Sequence, residues 1–256
     1  MTGLRHALER SPSARLLCFP HAGGTTQAFA RWKPLLPGWL ELSTIELPGH
    51  GPRSSEPAIG SMRAMIELLL PEALALADRP LAIFGHSVGA KIGFELARAL
   101  ARSNHPPVHL FVAASPSHGF PETGRGLHLR SRDEFIAELR RLGGTPTWLL
   151  EDERRIDPLL PTLRADFQLA VEYRVFPGPK LDCPVTAFAG TLDPHVSVED
   201  ISAWRSHTTG TFRLAQLEVG HYFVKERAPD VVARIVQTLT GDIACSRTRT
   251  SMRSRP

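Results

Sequence analysis

Leu81-Ala82-Ile83-Phe84-Gly85-His86-Ser87-Val88-Gly89 decides the fold. A short apolar run leads into Gly-x-Ser-x-Gly, and residues 90–101 follow with Ala90, Gly93, Phe94, Ala97 and Ala101 on one face at helical spacing. The order is strand, tight turn, helix. A serine at such a turn sits on strained backbone that lifts its hydroxyl out of the sheet, while glycines two positions either side let strand and helix pack closely. Ser87 is therefore the candidate nucleophile, and Lys91, Glu95 and Arg98 are expected to point away from the packed face.

A hydroxyl is a weak nucleophile at neutral pH, so Ser87 needs a histidine base and a carboxylate to orient the imidazole. On a sheet carrying such a turn, the acid follows a late strand and the histidine follows the last one. Pro184-Val185-Thr186-Ala187-Phe188-Ala189 reads as a buried strand and runs into Gly190-Thr191-Leu192-Asp193. The alternating residues 212–218 run into Val219-Gly220-His221. Asp193 and His221 are the candidates. Among the eleven histidines, His86 belongs to the turn itself and is expected to bond beneath it, and His195 precedes the last strand. His50, His118 and His207 lack the strand-then-loop context. Asp200, the rival acid, falls in a helix-like stretch.

Acyl transfer also needs fixed donors for an oxyanion, a task suited to backbone N–H groups. The amide of Val88, the residue after the serine, is one candidate. The other should come from the loop after an early strand; Leu16-Leu17-Cys18-Phe19 leads into Pro20-His21-Ala22-Gly23-Gly24, and Ala22 is chosen.

Composition bounds the alternatives. The 256 residues suffice for one large α/β domain, and 42% hydrophobic with 22% charged residues is the balance of a soluble globular chain. No apolar run approaches a membrane span, and residues 1–13 have no signal-type apolar core, so a cytoplasmic location is expected. Three widely spaced cysteines, Cys18, Cys183 and Cys245, argue against a disulfide framework or a zinc cluster. The net charge of +4 is matched by Arg247, Arg249, Arg253 and Arg255, which no acid accompanies after Asp242. The body is then near neutral, which speaks against a nucleic-acid-binding protein, and 241–256 reads as a basic, disordered tail.

Strands are expected at 15–19, 42–47, 80–84, 108–113, 184–189 and 212–218, with helices at 26–36, 61–76, 88–101, 198–206 and 229–240. Such alternation implies a mostly parallel sheet with helices on both faces and functional loops at the carboxyl ends of the strands. Between residues 117 and 180 helical patterns, 132–142 and 158–173, occur without a strand. That stretch reads as a lid inserted at the mouth of the site, with Gly124, Gly126 and Gly143-Gly144 as joints, on a single domain spanning 1–240.

Taken together, Phe19-Pro20-His21-Ala22-Gly23-Gly24, Trp32, Leu47-Pro48-Gly49, Gly85-His86-Ser87, Phe94-Glu95-Leu96-Ala97-Arg98, Leu142-Gly143-Gly144-Thr145-Pro146, Leu163-Arg164-Ala165-Asp166 and Gly220-His221-Tyr222-Phe223 resemble the type II thioesterases of polyketide and nonribosomal peptide synthases, in the α/β-hydrolase superfamily. The resemblance implies hydrolysis of acyl thioesters from the phosphopantetheine arm of acyl or peptidyl carrier proteins, to clear aberrant acyl groups. It also implies no metal or organic cofactor, and a monomer is expected. Four departures stand out: Val88 where the family usually has methionine, expected to narrow the acyl pocket; His50 where it often has arginine; Val219-Gly220-His221-Tyr222 where it often has Gly-Gly-His-Phe; and Ser115-Pro116-Ser117-His118 in place of an arginine-containing form. Arg31, Arg53, Arg125, Arg130 and Arg132 are candidates for docking an acidic carrier protein. A general carboxylesterase or acyltransferase shares the Ser-Asp-His set, and a noncatalytic binding protein on the same fold needs none of it.

Overall fold

The computed structural model describes residues 12–118 and 126–253, with side chains as far as Gly241. Six strands, β1 (Ala14–Phe19), β2 (Leu40–Thr44), β3 (Leu81–His86), β4 (His109–Ala113), β5 (Val185–Gly190) and β6 (Phe212–Leu217), form one sheet in the order β2-β1-β3-β4-β5-β6. Every neighbouring pair is parallel. Helical segments are α1 (Met62–Ala75), α2 (Val88–Arg102), α3 (Arg132–Leu142), α4 (Thr147–Leu150), α5 (Glu153–Ile156), α6 (Leu160–Glu172), α7 (Val198–Ser202), α8 (Phe223–Glu226) and α9 (Ala228–Arg253). The result is the mostly parallel α/β-hydrolase sheet expected.

A parallel strand is buried on both faces, so its residues alternate between two cores. Leu17, Phe19, Ile83 and Val112 face the core under α1 and α2, whereas Leu16, Cys18, Phe84 and Phe111 face the one under α9. The chain starts in mid-sheet, goes out to β2 and then crosses back to β3. The order therefore reverses at the β1/β3 crevice, where ligands of open α/β sheets bind.

Three expected elements differ in extent. β2 is shifted to Leu40–Thr44, because its register with β1 ends at Cys18↔Thr44; Ile45 and Leu47 extend the apolar pattern as buried loop residues. The helix expected at 26–36 is two 3-10 turns, Thr26–Phe29 and Lys33–Leu35, since Pro34 has no N–H to continue an α-helix. α9 runs past Thr240 to Arg253, into the stretch expected as a tail; residues 242–253 contain no proline or glycine.

Between β4 and β5 the helices α3–α6 form an insertion with its own small core, where Phe135, Ile136, Leu139, Leu150, Ile156 and Leu163 meet. A complete capping box at Ser131 and Glu134 starts α3, and Gly143, in left-handed conformation at φ 76°, ends it. Gly124 lies outside the described residues. α6 belongs to both bodies: Leu160 and Leu163 join the insertion core, whereas Leu169, Ala170 and Tyr173 join the main one.

Lys91, Glu95 and Arg98 point away from the face packed on the sheet, yet all three are buried, because α6 and the segment after it pack on that side of α2. Glu95 accepts from the Tyr173 hydroxyl at 2.7 Å, from Phe176 N at 3.1 Å and from Arg98 at 3.0 Å. Lys91 Nζ donates to Ala170 O at 2.6 Å and lies over the Tyr173 ring. Burial, assisted by the nearby Arg174 charge, pushes the Lys91 ammonium down to about 7. Between there and the ordinary lysine value the unfolded chain holds a proton that the folded chain does not, so stability rises with pH across that window. Lys91→Met should remove this dependence and raise Tm at neutral pH, as thermal unfolding across a pH series would show; an unaltered pH profile of Tm would contradict it.

Candidate active site

The turn after β3 is built by exclusion of side chains. Ser87 has φ 56° and ψ −120°, left-handed backbone that a non-glycine residue adopts at a cost. Its amide is held by Ala113 O at 2.8 Å, and its carbonyl accepts from Ala90 N at 3.0 Å. A Cβ on Gly85 would stand 2.2 Å from Gly89 O, and one on Gly89 would stand 2.4 Å from the carbonyl oxygens of both Phe19 and Pro20. The two glycines thus let α2 start in contact with β3 and with the end of β1.

The loops after β5 and β6 are zipped together by Thr191 N to Leu217 O at 2.8 Å and Leu192 N to Val219 O at 3.1 Å. This brings Asp193 to His221. Asp193 Oδ1 accepts from the amides of His195 at 2.8 Å and Val196 at 3.2 Å, and Oδ2 accepts from His221 Nδ1–H at 2.7 Å. With Nδ1 carrying the proton, Nε2 is left to accept from the Ser87 hydroxyl at 3.3 Å. The Ser87, Asp193 and His221 side chains are all buried.

Val88 supplies the first amide of α2, which has no intrahelical acceptor. The Ala22 amide is aimed by its loop: Gly24 N bonds His21 O at 2.9 Å, which fixes the peptide plane whose other side carries Ala22 N–H. Ala22, Ser87 and His221 line a cavity of about 50 Å³ together with Leu139, Leu142, Leu163, Phe167 and Ala170. The Val88 side chain packs in the main core and is absent from that lining, so it does not narrow the pocket as expected.

The rival residues have other work. Asp200 closes a capping box with Ser197 at the start of α7. His86 Nε2–H donates to His221 O at 2.8 Å, the bond beneath the turn that its position suggested, and burial, together with the neighbouring His21 and His221, pushes it well below the ordinary histidine range. His195 lies edge-on to His221 at 5.6 Å and lines the cavity. The candidate docking arginines are partly consumed within the fold: Arg53 is paired with Glu56, and Arg132 with Asp157 and Glu153. Arg31 and Arg130 are exposed, and Arg125 lies outside the described residues.

Sequence reasoning met Tyr222 and Asp166 only within the resembling motifs and His50 only as a rival histidine and a departure, and missed the contact of Tyr222 with His221 and the pairing of His50 with Asp166. Tyr222 stands edge-on to His221 at 5.0 Å, and its hydroxyl occupies the space a Cβ on Gly144 would need. Asp166 was legible as the one acid within the apolar stripe Leu163, Phe167, Ala170 of α6.

A serine, a histidine and a buried carboxylate thus meet at the carboxyl ends of β3, β6 and β5 on a sheet of the α/β-hydrolase class. Within that class the chain belongs to the thioesterase domain family, whose model matches residues 14–239. The gramicidin S biosynthesis protein GrsT of Aneurinibacillus migulanus is 37% identical over 219 residues, 85% of this chain and 86% of GrsT. Among solved structures, the RedJ thioesterase of the prodiginine biosynthetic pathway in Streptomyces coelicolor is 34% identical with a TM-score of 0.79, over 89% of this chain and 86% of RedJ. YbtT, a type II thioesterase from the yersiniabactin NRPS/PKS biosynthetic pathway, is 28% identical with a TM-score of 0.81, over 94% and 97% of the two chains. The chain is a thioester hydrolase.

Gly89→Ala should push the 20–24 loop off α2, costing about 1–3 kcal/mol of stability by overpacking. Urea unfolding and thioester turnover would both report it; a wild-type midpoint together with wild-type turnover would refute the packing argument.

Proposed function

We propose that the protein removes acyl groups from the phosphopantetheine arms of acyl or peptidyl carrier proteins of a polyketide or nonribosomal peptide synthase, with Ser87 as nucleophile, His221 as base and Asp193 as its orienting carboxylate. The observation that carries the reading is the pair of bonds on His221, Nδ1 to Asp193 at 2.7 Å and Nε2 to Ser87 at 3.3 Å. His221 takes the hydroxyl proton as Ser87 Oγ attacks the thioester carbonyl. The amides of Val88 and Ala22 hold the oxyanion, and the pantetheine thiol leaves, protonated by His221. Water, deprotonated by the same imidazole, then attacks the acyl-serine, and collapse of the second tetrahedral intermediate releases the acid. A thioester is already an activated acyl group, so this scheme calls for no metal or organic cofactor.

The insertion acts as a lid in this reading. A pocket for a drug-sized ligand spans roughly 300–1,000 Å³. The 50 Å³ cavity is far smaller, so the arm and its acyl group enter only when the Leu139–Leu142 side draws back. Substrate carried on a partner protein and a lid over the serine both favour small, aberrant or stalled acyl groups as the normal load. A cytoplasmic monomer, where synthases work, belongs to the same proposal; no described helix is long and apolar enough to cross a membrane.

Hydrolysis should be faster for short acyl groups on a phosphopantetheinylated carrier protein than for free pantetheine thioester mimics or matched oxygen esters. Ser87→Ala should abolish turnover, and Asp193→Asn should lower kcat by about 10³–10⁴-fold by favouring the wrong imidazole tautomer. Faster turnover of free oxygen esters would instead place the protein among general esterases.

A further inference from the structure

The loop that carries Ala22 is pinned from outside by a buried ion pair on α6. Asp166 Oδ2 accepts from Gly23 N at 2.6 Å and from His50 Nε2 at 2.9 Å. His50 Nδ1 in turn meets Pro48 O at 3.0 Å. A carbonyl and a carboxylate are both acceptors, so the geometry suits an imidazolium, with a proton on each ring nitrogen of His50. Its side chain and that of Asp166 are 3% and 4% exposed, which shields the pair from solvent. Two further contacts from α6 close the same clasp: Thr162 Oγ1 donates to Gly49 O at 3.1 Å, and Leu163 fills the space above Gly23.

These bonds bear directly on the amide proposed for the oxyanion. Both peptide groups flanking the Ala22 Cα are tied: the one before it by Gly24 N to His21 O, and the one after it by Gly23 N to Asp166 and by His21 Nδ1–H to Ala22 O at 3.1 Å. Two fixed peptide planes leave Ala22 no rotation. Gly23 itself has φ 70°, a conformation glycine adopts without strain, so the loop has no side-chain barrier to hold its shape. The Asp166 carboxylate supplies the hold instead.

We propose that Asp166, charge-paired with His50, is a positioning residue that fixes the direction of the Ala22 N–H by gripping the Gly23 amide, and so makes oxyanion stabilisation depend on α6. The proposal rests on the serine-hydrolase reading given under the proposed function, with Ala22 as an oxyanion donor, and adds the residue that aims the donor. Burial opposes the charge on His50, but the hydrogen bond and charge of Asp166 outweigh it and raise His50 above the ordinary histidine value. The other groups around the pair are Glu46, whose charge also favours the imidazolium, and His21, which burial pushes below the ordinary histidine value. Because the folded-state value is raised, the pair contributes fully to stability below the ordinary value and loses that contribution as pH rises through the raised one.

The test is steady-state hydrolysis of a short-chain acyl-N-acetylcysteamine thioester as a function of pH, for the wild type, Asp166→Asn, His50→Arg and His50→Gln, with circular dichroism as the check of fold. A donor misplaced by about 1 Å can cost 10²-fold, so Asp166→Asn should lower kcat by about that factor while KM stays within roughly threefold. The wild type should lose kcat as pH rises through the raised value of His50. His50→Arg, with a permanent cation, should keep kcat at neutral pH and lack that descending limb; His50→Gln should be slow throughout and show no limb. Wild-type kcat in Asp166→Asn, or a wild-type descending limb in His50→Arg, overturns the proposal. If Asp166→Asn does not fold, the His50→Arg profile decides alone. Failure of the underlying reading looks different, since thioester turnover would then survive Ser87→Ala.

Discussion

Everything in the site hangs on the contact between the first turn of α2 and the end of β1. Gly89 lies so close to the carbonyls of Phe19 and Pro20 that no side chain fits between them. That contact sets the loop bearing Ala22 beside the turn bearing Ser87, and it exists because the strand order reverses between β1 and β3. A reversal leaves a crevice between two strands whose following loops diverge to opposite sides of the sheet. Here the crevice is closed by backbone against backbone, and the strained φ of Ser87 is the geometric price. The other two residues need only reach this fixed point, and the zipped loops after β5 and β6 deliver them.

Around this point, ionisable groups are buried and hydrogen-bonded. Lys91, Glu95 and Arg98 line the side of α2 facing α6, and His50 and Asp166 sit between α6 and two loops. Burying an ion costs several kcal/mol unless partners replace its water, and such pairs are weak evidence for stability. What they provide is register: Glu95 receives the Tyr173 hydroxyl and the Phe176 amide, so α6 ends at one defined place on α2. An apolar interface would let that helix slide.

Strand positions were legible because a sheet buried on both faces leaves short apolar runs bounded by turn residues. The meeting of Ser87, Asp193 and His221 was legible because each sits directly after such a run, at 85–89, 190–193 and 219–221. Errors fell where tertiary packing overrides local pattern. Ile45 and Leu47 look like strand and are buried loop. Lys91, Glu95 and Arg98 could be read only as pointing away from the packed face, and the path of α6, fixed by residues 79 and 78 positions later, shows that they are covered. The His50–Asp166 bond joins residues 116 apart, and no local periodicity carries such a distance.

α6 contributes to two cores at once, and the cavity inherits the asymmetry. Of the α6 residues lining the cavity, Leu163 and Phe167 belong with Leu139 and Leu142 to the small core of the insertion, whereas Ala170 belongs to the main core. Mutations therefore meet unequal resistance. Positions 139, 142, 163 and 167 can vary in size at the expense of a minor cluster, while a change at 170 disturbs the body of the enzyme. Divergence toward new acyl groups has its open route through those four positions, so relatives with different acyl preferences would be told apart there before position 170.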